Sequence, residues 1–185
     1  MWGPGWRFHA MHHSPKRLYW LNAGRTQVVE IVVDAFVEGL VTKQLGMNRD
    51  QLVANQAVRF MYGNLQHTNV DLRSGVLDHV FSTPDLHRWH HSTVYEEGDA
   101  NFGVFTSIWD RLFGTFYRPD DRECPDEIGV GRMPDFPTRF VELQRVPIDW
   151  STIRDRNTAT WYGEEPQTSG SAAAQTNRRK EDSNP

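Results

Sequence analysis

The chain has 185 residues, the length of one ordinary domain, of which 38% are hydrophobic and 24% are charged. A net charge of -4 at pH 7 with scattered basic residues gives no indication of nucleic-acid binding, and the one cysteine, Cys124, excludes a disulfide scaffold and cysteine-based zinc sites. No segment has the pattern of a secretory leader or the long uncharged apolar run of a standard transmembrane helix.

The first chemical motif lies near the start of the chain and has the spacing His-x-x-His-His. Its members are His9, His12 and His13. In a helix, residues separated by three and four positions share one face, so this spacing places three imidazoles together. The motif therefore predicts a helix that offers three nitrogen ligands to one small volume.

Two longer helices are predicted next. Residues 28–45 are mostly Val, Ile, Phe, Leu and Ala, with carboxylates at Glu30, Asp34 and Glu38 forming one helical stripe. The stripe faces either protein partners or the metal site, or it is simply solvated on a surface helix, and we favour the last interpretation. A second helix is predicted over 51–65, capped by Asn48 or Asp50.

A good helix start follows at residues 82–87. Thr83 is suited to the cap, Pro84 to the first helical position, and Asp85 to the positive end of the helix dipole. The His-x-x-His-His spacing recurs on this helix, at His87, His90 and His91. Six histidines in two identical spacings favour a metal site over isolated surface histidines or a pH-sensing cluster, and imidazole suits Zn, Cu, Fe and Ni.

The C-terminal third is expected to be rich in loops. A helix is predicted over 101–116, an extended surface loop over 119–137, and a short helix over 138–144. The small, polar residues that end the chain favour a disordered tail. We therefore divide the chain into a domain over 1–150 and a disordered tail over 151–185.

Several motifs in order resemble the fatty acid hydroxylase/sterol desaturase superfamily. The resemblance rests on WRFHAMHHSP at residues 6–15, LQHTNV at 65–70, STPDLHRWHHS at 82–92, NFG at 101–103 and WDRLFGT at 109–115. It implies a mainly α, helical-bundle membrane enzyme with a di-iron centre, which uses O2 to hydroxylate or desaturate C–H bonds of a sterol, fatty acid or ether lipid. An external electron donor is implied as well, since no flavin, haem or iron–sulfur motif is found.

The resemblance also implies the identity of the metal ligands. By motif position they are His9, His12, His13, His67, His87, His90 and His91, with Asn69 orienting one of them from behind. His79 matches no ligand position and is expected to be structural. Asp110 and Arg111 either pair or cap near the site or have ordinary packing roles.

The chain departs from the superfamily pattern in three ways. An earlier His box is missing ahead of His9, Gln27 stands where a histidine is usual, and the helix over 28–45 carries charges unusual in a membrane. We therefore expect a weakly inserted or peripheral membrane protein that depends on an N-terminal segment or partner chain. The alternatives to a lipid hydroxylase are a catalytically incomplete fragment that binds iron, or zinc in isolated preparations, and a zinc hydrolase.

Overall fold

The computed structural model describes residues 4–70 and 72–157. In these residues it contains α-helices, two 3₁₀ turns (Trp20–Gly24 and Gly75–His79) and no β-strand, so the mainly α expectation is confirmed. The helices are α1 (Trp6–His13), α2 (Val28–Gln44), α3 (Arg49–Gln66), α4 (Pro84–His90), α5 (Tyr95–Gly98), α6 (Ile108–Phe113) and α7 (Phe140–Arg156). In this part of the chain, none of them combines the length and the apolar character needed to cross a membrane.

The predicted helix starts are confirmed at α3 and α4. At α3, Asn48 Oδ1 accepts a hydrogen bond from the Gln51 backbone N–H at 3.0 Å, and Gln51 Oε1 accepts one from the Asn48 N–H at 2.9 Å. This reciprocal pair is a capping box, which satisfies two backbone donors left free at the helix end. At α4, the Thr83 hydroxyl caps the Leu86 N–H, and Pro84 occupies the first helical position as predicted.

The prediction of one helix over 101–116 is wrong for its first half. Asn101 has a positive φ of 55°, and the Asp110 carboxylate accepts hydrogen bonds from the backbone N–H groups of Phe102 at 2.7 Å and Gly103 at 2.9 Å. These contacts hold the segment as a loop, because N–H groups bonded to a side chain are withdrawn from helix formation. Only α6 forms, and it ends at Gly114, whose φ of 76° suits a residue without a side chain.

The C-terminal region is more ordered than expected. The short helix predicted over 138–144 is α7, which continues past the boundary placed at residue 150 to Arg156 even though Pro147 lies inside it. Leu143, Val146 and Ile153 recur at helical spacing on its buried face, so tertiary packing explains the added length. The rest of the expected disordered tail, residues 158–185, lies outside the described residues.

A buried apolar cluster joins the first and last helices of this structure. Met11 of α1 packs with the buried face of α7 and with Met133, which lies in the segment expected to be a surface loop. Gln27 is buried beside this cluster, and its Nε2 donates to the Leu143 carbonyl oxygen at 2.5 Å. Gln27 therefore joins the start of α2 to α7.

The hairpin formed by α2 and α3 has two partly buried carboxylates, Glu30 and Glu38, and many exposed apolar residues. Glu30 contacts His9, and Glu38 accepts from Asn55 at 2.6 Å and pairs with Arg59 at 3.3 Å. The favoured interpretation of a solvated carboxylate stripe is therefore wrong for these two residues and holds only for exposed Asp34. The exposed apolar side chains of the hairpin include Val29, Val32, Phe36, Val37, Leu40, Val53, Phe60 and Met61.

Candidate metal centre

The structure brings all seven predicted ligands into one cluster. α1 supplies His9, His12 and His13, the C-terminal cap of α3 supplies His67, and α4 with its cap supplies His87, His90 and His91. The spacing of three and four residues therefore directs each box towards the other, as the helical interpretation predicted. His9 and His87 are partly exposed, whereas the other five imidazoles are buried.

The imidazoles divide into two groups, and within each group the nitrogens that face one another lie within 4.8 Å. The four-histidine group consists of His12, His67, His87 and His91, and the three-histidine group consists of His9, His13 and His90. The groups adjoin through His13 and His91, whose ring centroids are 4.3 Å apart.

Neighbouring Nε2 atoms lie unusually close together in both groups. In the four-histidine group, the Nε2 atom of His67 is 3.0 Å from that of His12 and 3.1 Å from that of His87. In the three-histidine group, the Nε2 atoms of His13 and His90 are 3.1 Å apart. The ring nitrogens of each group therefore converge on a shared centre.

Three of the rings are anchored from behind through Nδ1. His9 Nδ1 lies 2.8 Å from Glu30 Oε1, His67 Nδ1 lies 2.7 Å from the Gly63 carbonyl oxygen, and His90 Nδ1 lies 2.8 Å from the Ala100 carbonyl oxygen. An oxygen acceptor at this distance assigns the ring proton to Nδ1, so Nε2 presents a lone pair to the cluster. Metal-binding histidines commonly have this type of oxygen partner.

These contacts fit a bound metal better than a hydrogen-bonded histidine core. A neutral imidazole has one proton, and His67 uses its proton on Gly63, so its Nε2 lone pair faces two further Nε2 atoms at about hydrogen-bond distance. One lone pair accepts one N–H donor, so the approach of a second Nε2 atom to 3.1 Å is explained better by a shared cation than by a hydrogen bond.

Burial keeps the cluster in the neutral form that binds metals. Burial is the main cause of a lowered pKa at four of these imidazoles, namely His12, His13, His67 and His87. Burial and the neighbouring His9 lower the pKa of His90 to about 4. These imidazoles are consequently unprotonated at neutral pH, which is the state required of a nitrogen ligand.

Asn101 and Asp110 hold the loop beside His90; from the sequence, a pairing or capping role near the site was one expectation for Asp110, and no role was assigned to Asn101. The Asn101 side chain donates to the carbonyl oxygens of Leu86 at 3.2 Å and Tyr117 at 2.8 Å, which fixes the backbone beside Ala100. The Asp110 carboxylate accepts hydrogen bonds from the backbone N–H groups of Phe102 and Gly103, which follow Asn101 in the chain. Both residues belong to motifs that carried the family resemblance, but residue type alone did not indicate this role.

Three other expectations can be checked against the cluster. Asn69 was expected to orient a ligand imidazole, and this is wrong: its exposed side chain accepts a hydrogen bond from Arg88 Nη1 at 3.2 Å. His79 lies outside the two groups and contacts Arg111 Nη1 through Nδ1 at 2.6 Å, which agrees with its structural interpretation. Arg111 therefore pairs with His79, whereas Asp110 binds backbone amides.

A cavity of about 250 Å³ borders the three-histidine group. His13 and His90 form part of its wall, and none of its lining residues belongs to α2 or α3. The other side chains that line it include Trp6, Thr93, Tyr95 and Arg132. The cavity provides space for a small molecule beside one of the two imidazole groups.

Comparisons with known proteins identify the family to which this sequence is related. A family model described as fatty acid hydroxylase matches residues 2–115. The ornithine lipid hydroxylase OlsE of Rhizobium tropici is 43% identical over 125 residues, which are 68% of this chain and 38% of that protein. Alkylglycerol monooxygenases of Danio rerio and Homo sapiens are 29% and 28% identical over 119 residues, which are 63% of this chain and 26% of each relative.

The chain thus spans well under half the length of these curated relatives. No solved structure shows a significant match. The family match covers both His-x-x-His-His boxes, His67 and α6, whereas α7 lies beyond it.

Proposed function

Because the chain belongs to the fatty acid hydroxylase family, we propose that it carries the histidine centre of an O2-dependent lipid hydroxylase or desaturase. The observation that supports this proposal is the convergence of seven imidazoles, three of them anchored through Nδ1, in two adjoining groups. Two irons are the proposed occupants, with His12, His67, His87 and His91 holding one and His9, His13 and His90 the other. When bound, they would supply the electrons that reduce O2 for attack on a C–H bond.

The protein residues around the cluster have separate proposed tasks. Glu30, Gly63 and Ala100 hold ring protons at Nδ1 and so keep the Nε2 lone pairs directed inwards. Burial excludes water from most of the rings, which keeps them unprotonated. The reducing equivalents are expected from a separate electron donor.

The proposed substrate is a membrane lipid, and the proposed location is a membrane. The relatives are named for hydroxylation of ornithine lipids and for alkylglycerol oxidation, so these lipids are the first to test. The apolar outer surface of the α2–α3 hairpin supports lipid contact, because soluble proteins rarely expose contiguous apolar patches of such extent. The proposed arrangement is peripheral or shallow insertion through this hairpin.

A second candidate is a metal-binding part of a larger enzyme that does not turn over alone. The share of the curated relatives that the chain covers favours this candidate, since most of the length of those proteins lies beyond the match. The ligand cluster itself would be the same in both cases. The two candidates therefore differ in turnover and agree on metal binding.

The decisive experiment measures metal and oxidation in the same preparation. The purified protein is loaded anaerobically with Fe²⁺, and bound iron is determined by elemental analysis. It is then mixed with a reductant, isotopically labelled O2 and vesicles containing an ornithine lipid or an alkylglycerol. About two iron ions per chain and labelled hydroxylated lipid would support the enzyme. Iron binding without oxidation would favour the second candidate, and the absence of bound metal would contradict both.

A further inference from the structure

The two imidazole groups differ in their number of ligands. Within residues 4–70 and 72–157, the four-histidine group offers four nitrogens, whereas the three-histidine group offers three. Each additional nitrogen donor strengthens the hold on a divalent ion, and each missing donor leaves one more coordination position for an exogenous molecule.

Their surroundings differ in the same direction. His13 and His90 of the three-histidine group line the cavity of about 250 Å³, and no member of the four-histidine group does. His67 and His87 of the other group lie between neighbouring imidazoles. A small anion or substrate therefore reaches one group by way of the cavity.

A carboxylate distinguishes the three-histidine group as well. Glu30 Oε1 lies 2.8 Å from His9 Nδ1, and its other oxygen, Oε2, is buried with no hydrogen-bond partner among the described residues. The four-histidine ring His67 is anchored by a neutral carbonyl, that of Gly63. A negative charge behind a ligand raises the basicity of the ring and partly compensates the charge of a cation held by neutral nitrogens.

From these three observations we infer that the two groups are inequivalent metal positions. The four-histidine group is the retained position, and the three-histidine group is the exchangeable position that accepts an exogenous ligand from the cavity. Glu30 is a positioning residue for the exchangeable position alone, because it acts through His9. This inference rests on the proposed function, since it requires that both groups bind metal.

The test is a titration of the metal-free protein with Co²⁺, followed by visible absorption and by competition with a chelator. The wild-type protein should bind the ion in two steps of different affinity. Azide, added as a small anionic probe, should change the spectrum of the second equivalent and leave that of the first unchanged. Two indistinguishable steps, or an azide effect on the first equivalent, would overturn the inference.

Variants assign the steps to the groups. Glu30→Gln keeps the size of the side chain and removes its charge, and it should weaken the second step by roughly 10- to 100-fold without affecting the first. Glu30→Asp should restore part of the loss, which a purely structural defect would not explain. Asp34→Asn removes a charge from the exposed side of the same helix and should change neither step. Equal weakening of both steps by Glu30→Gln would contradict the assignment.

A variant of the other group provides the reciprocal test. His67→Ala leaves three nitrogens in the four-histidine group, so it should weaken the tight step and leave the affinity and azide response of the weak step unchanged, with circular dichroism confirming retained helix. Loss of the weak step alone would overturn the inference. Absence of Co²⁺ and Fe²⁺ binding by the wild-type protein would contradict the proposed function too, so the two failures are distinguishable.

Discussion

At the scale of single residues, the cluster depends on groups that fix each ring from behind. Glu30, Gly63 and Ala100 come from α2, α3 and the loop after α5, and each determines which nitrogen of a histidine holds the proton. The ligands could be predicted from the sequence because their spacing is regular. Two of these three partners act through the backbone, where residue type leaves no signal, and the wrong assignment of Asn69 shows the same limit.

The lowered pKa of His90 leads to a pH prediction for protein stripped of metal. Because burial lowers the pKa of this imidazole to about 4, the unfolded chain takes up a proton near pH 6.5 that the folded protein does not. The stability contributed by the neutral ring is complete above about pH 6.5 and is lost as pH falls towards 4. Each histidine of this kind contributes a slope of about 1.4 kcal/mol per pH unit in this window.

Urea unfolding in the presence of a chelator measures this dependence between about pH 7.5 and pH 4.5. The free energy of unfolding should decrease steadily below about pH 6.5. A constant value across this window would show that the imidazoles titrate normally in the folded state.

Asn101 gives a prediction that separates backbone conformation from side-chain bonding. Asn101→Gly keeps the positive φ available but leaves the Leu86 and Tyr117 carbonyl oxygens without their donor, with an expected cost of about 1–3 kcal/mol. Asn101→Ala adds backbone strain of roughly 1 kcal/mol, so it should be the less stable variant. Both should lower metal occupancy by loosening the loop that orients His90, whereas exposed Asn69→Ala should not. Thermal unfolding measures the stability of the variants, and elemental analysis measures their metal content. An Asn101→Gly variant less stable than Asn101→Ala would contradict the prediction.

At the scale of elements, α4 depends on its first turn for its position. The Thr83 hydroxyl accepts from the Leu86 N–H at 3.4 Å and donates to Asp78 Oδ1 at 2.6 Å. Asp78 is buried and also pairs with Arg118 Nε at 2.7 Å. One side chain therefore both begins the helix that carries the second His box and attaches it to a buried ion pair.

Thr83→Ala should destabilise the protein by about 0.5–2 kcal/mol, because it removes the helix cap. Thr83→Ser retains the hydroxyl and should restore most of that loss. Urea unfolding of the three proteins measures the effect, and equal losses in both variants would show that the methyl group of Thr83, not its hydroxyl, is responsible.

The accuracy of the predicted elements depended on where their stabilising contacts lie. α2, α3 and the start of α4 were predicted because apolar composition and caps are local properties of the sequence. The loop over 101–107 and the length of α7 were not, because the first depends on Asp110 binding distant backbone amides and the second on packing against Met11. Contacts between residues far apart in sequence decided these cases.

At the scale of the whole molecule, the outer surface of the α2–α3 hairpin predicts binding to lipid. Phe36 and Met61 are 66% and 70% exposed, and replacing both with Ser should weaken binding to phosphatidylcholine vesicles by roughly tenfold or more. Val141→Ser changes a residue of α7 that is 69% exposed and should leave binding unaltered. Vesicle co-sedimentation measures the lipid binding of the wild-type protein and the two variants. An equal loss of binding in the hairpin variant and in Val141→Ser would indicate unspecific hydrophobic adsorption.

The packing of α7 affects how this protein can be divided for engineering. Of the five buried residues in the apolar cluster formed by α1 and α7, only Met11 lies within the family match, and the other four are contributed by 133–153. A polypeptide cut at residue 115 would retain every histidine of the site while uncovering the back of the helix that carries the first box. Chimeras with related hydroxylases should therefore keep α1 and α7 in one exchanged block, because the buried contacts of α1 extend beyond the limits of the family match.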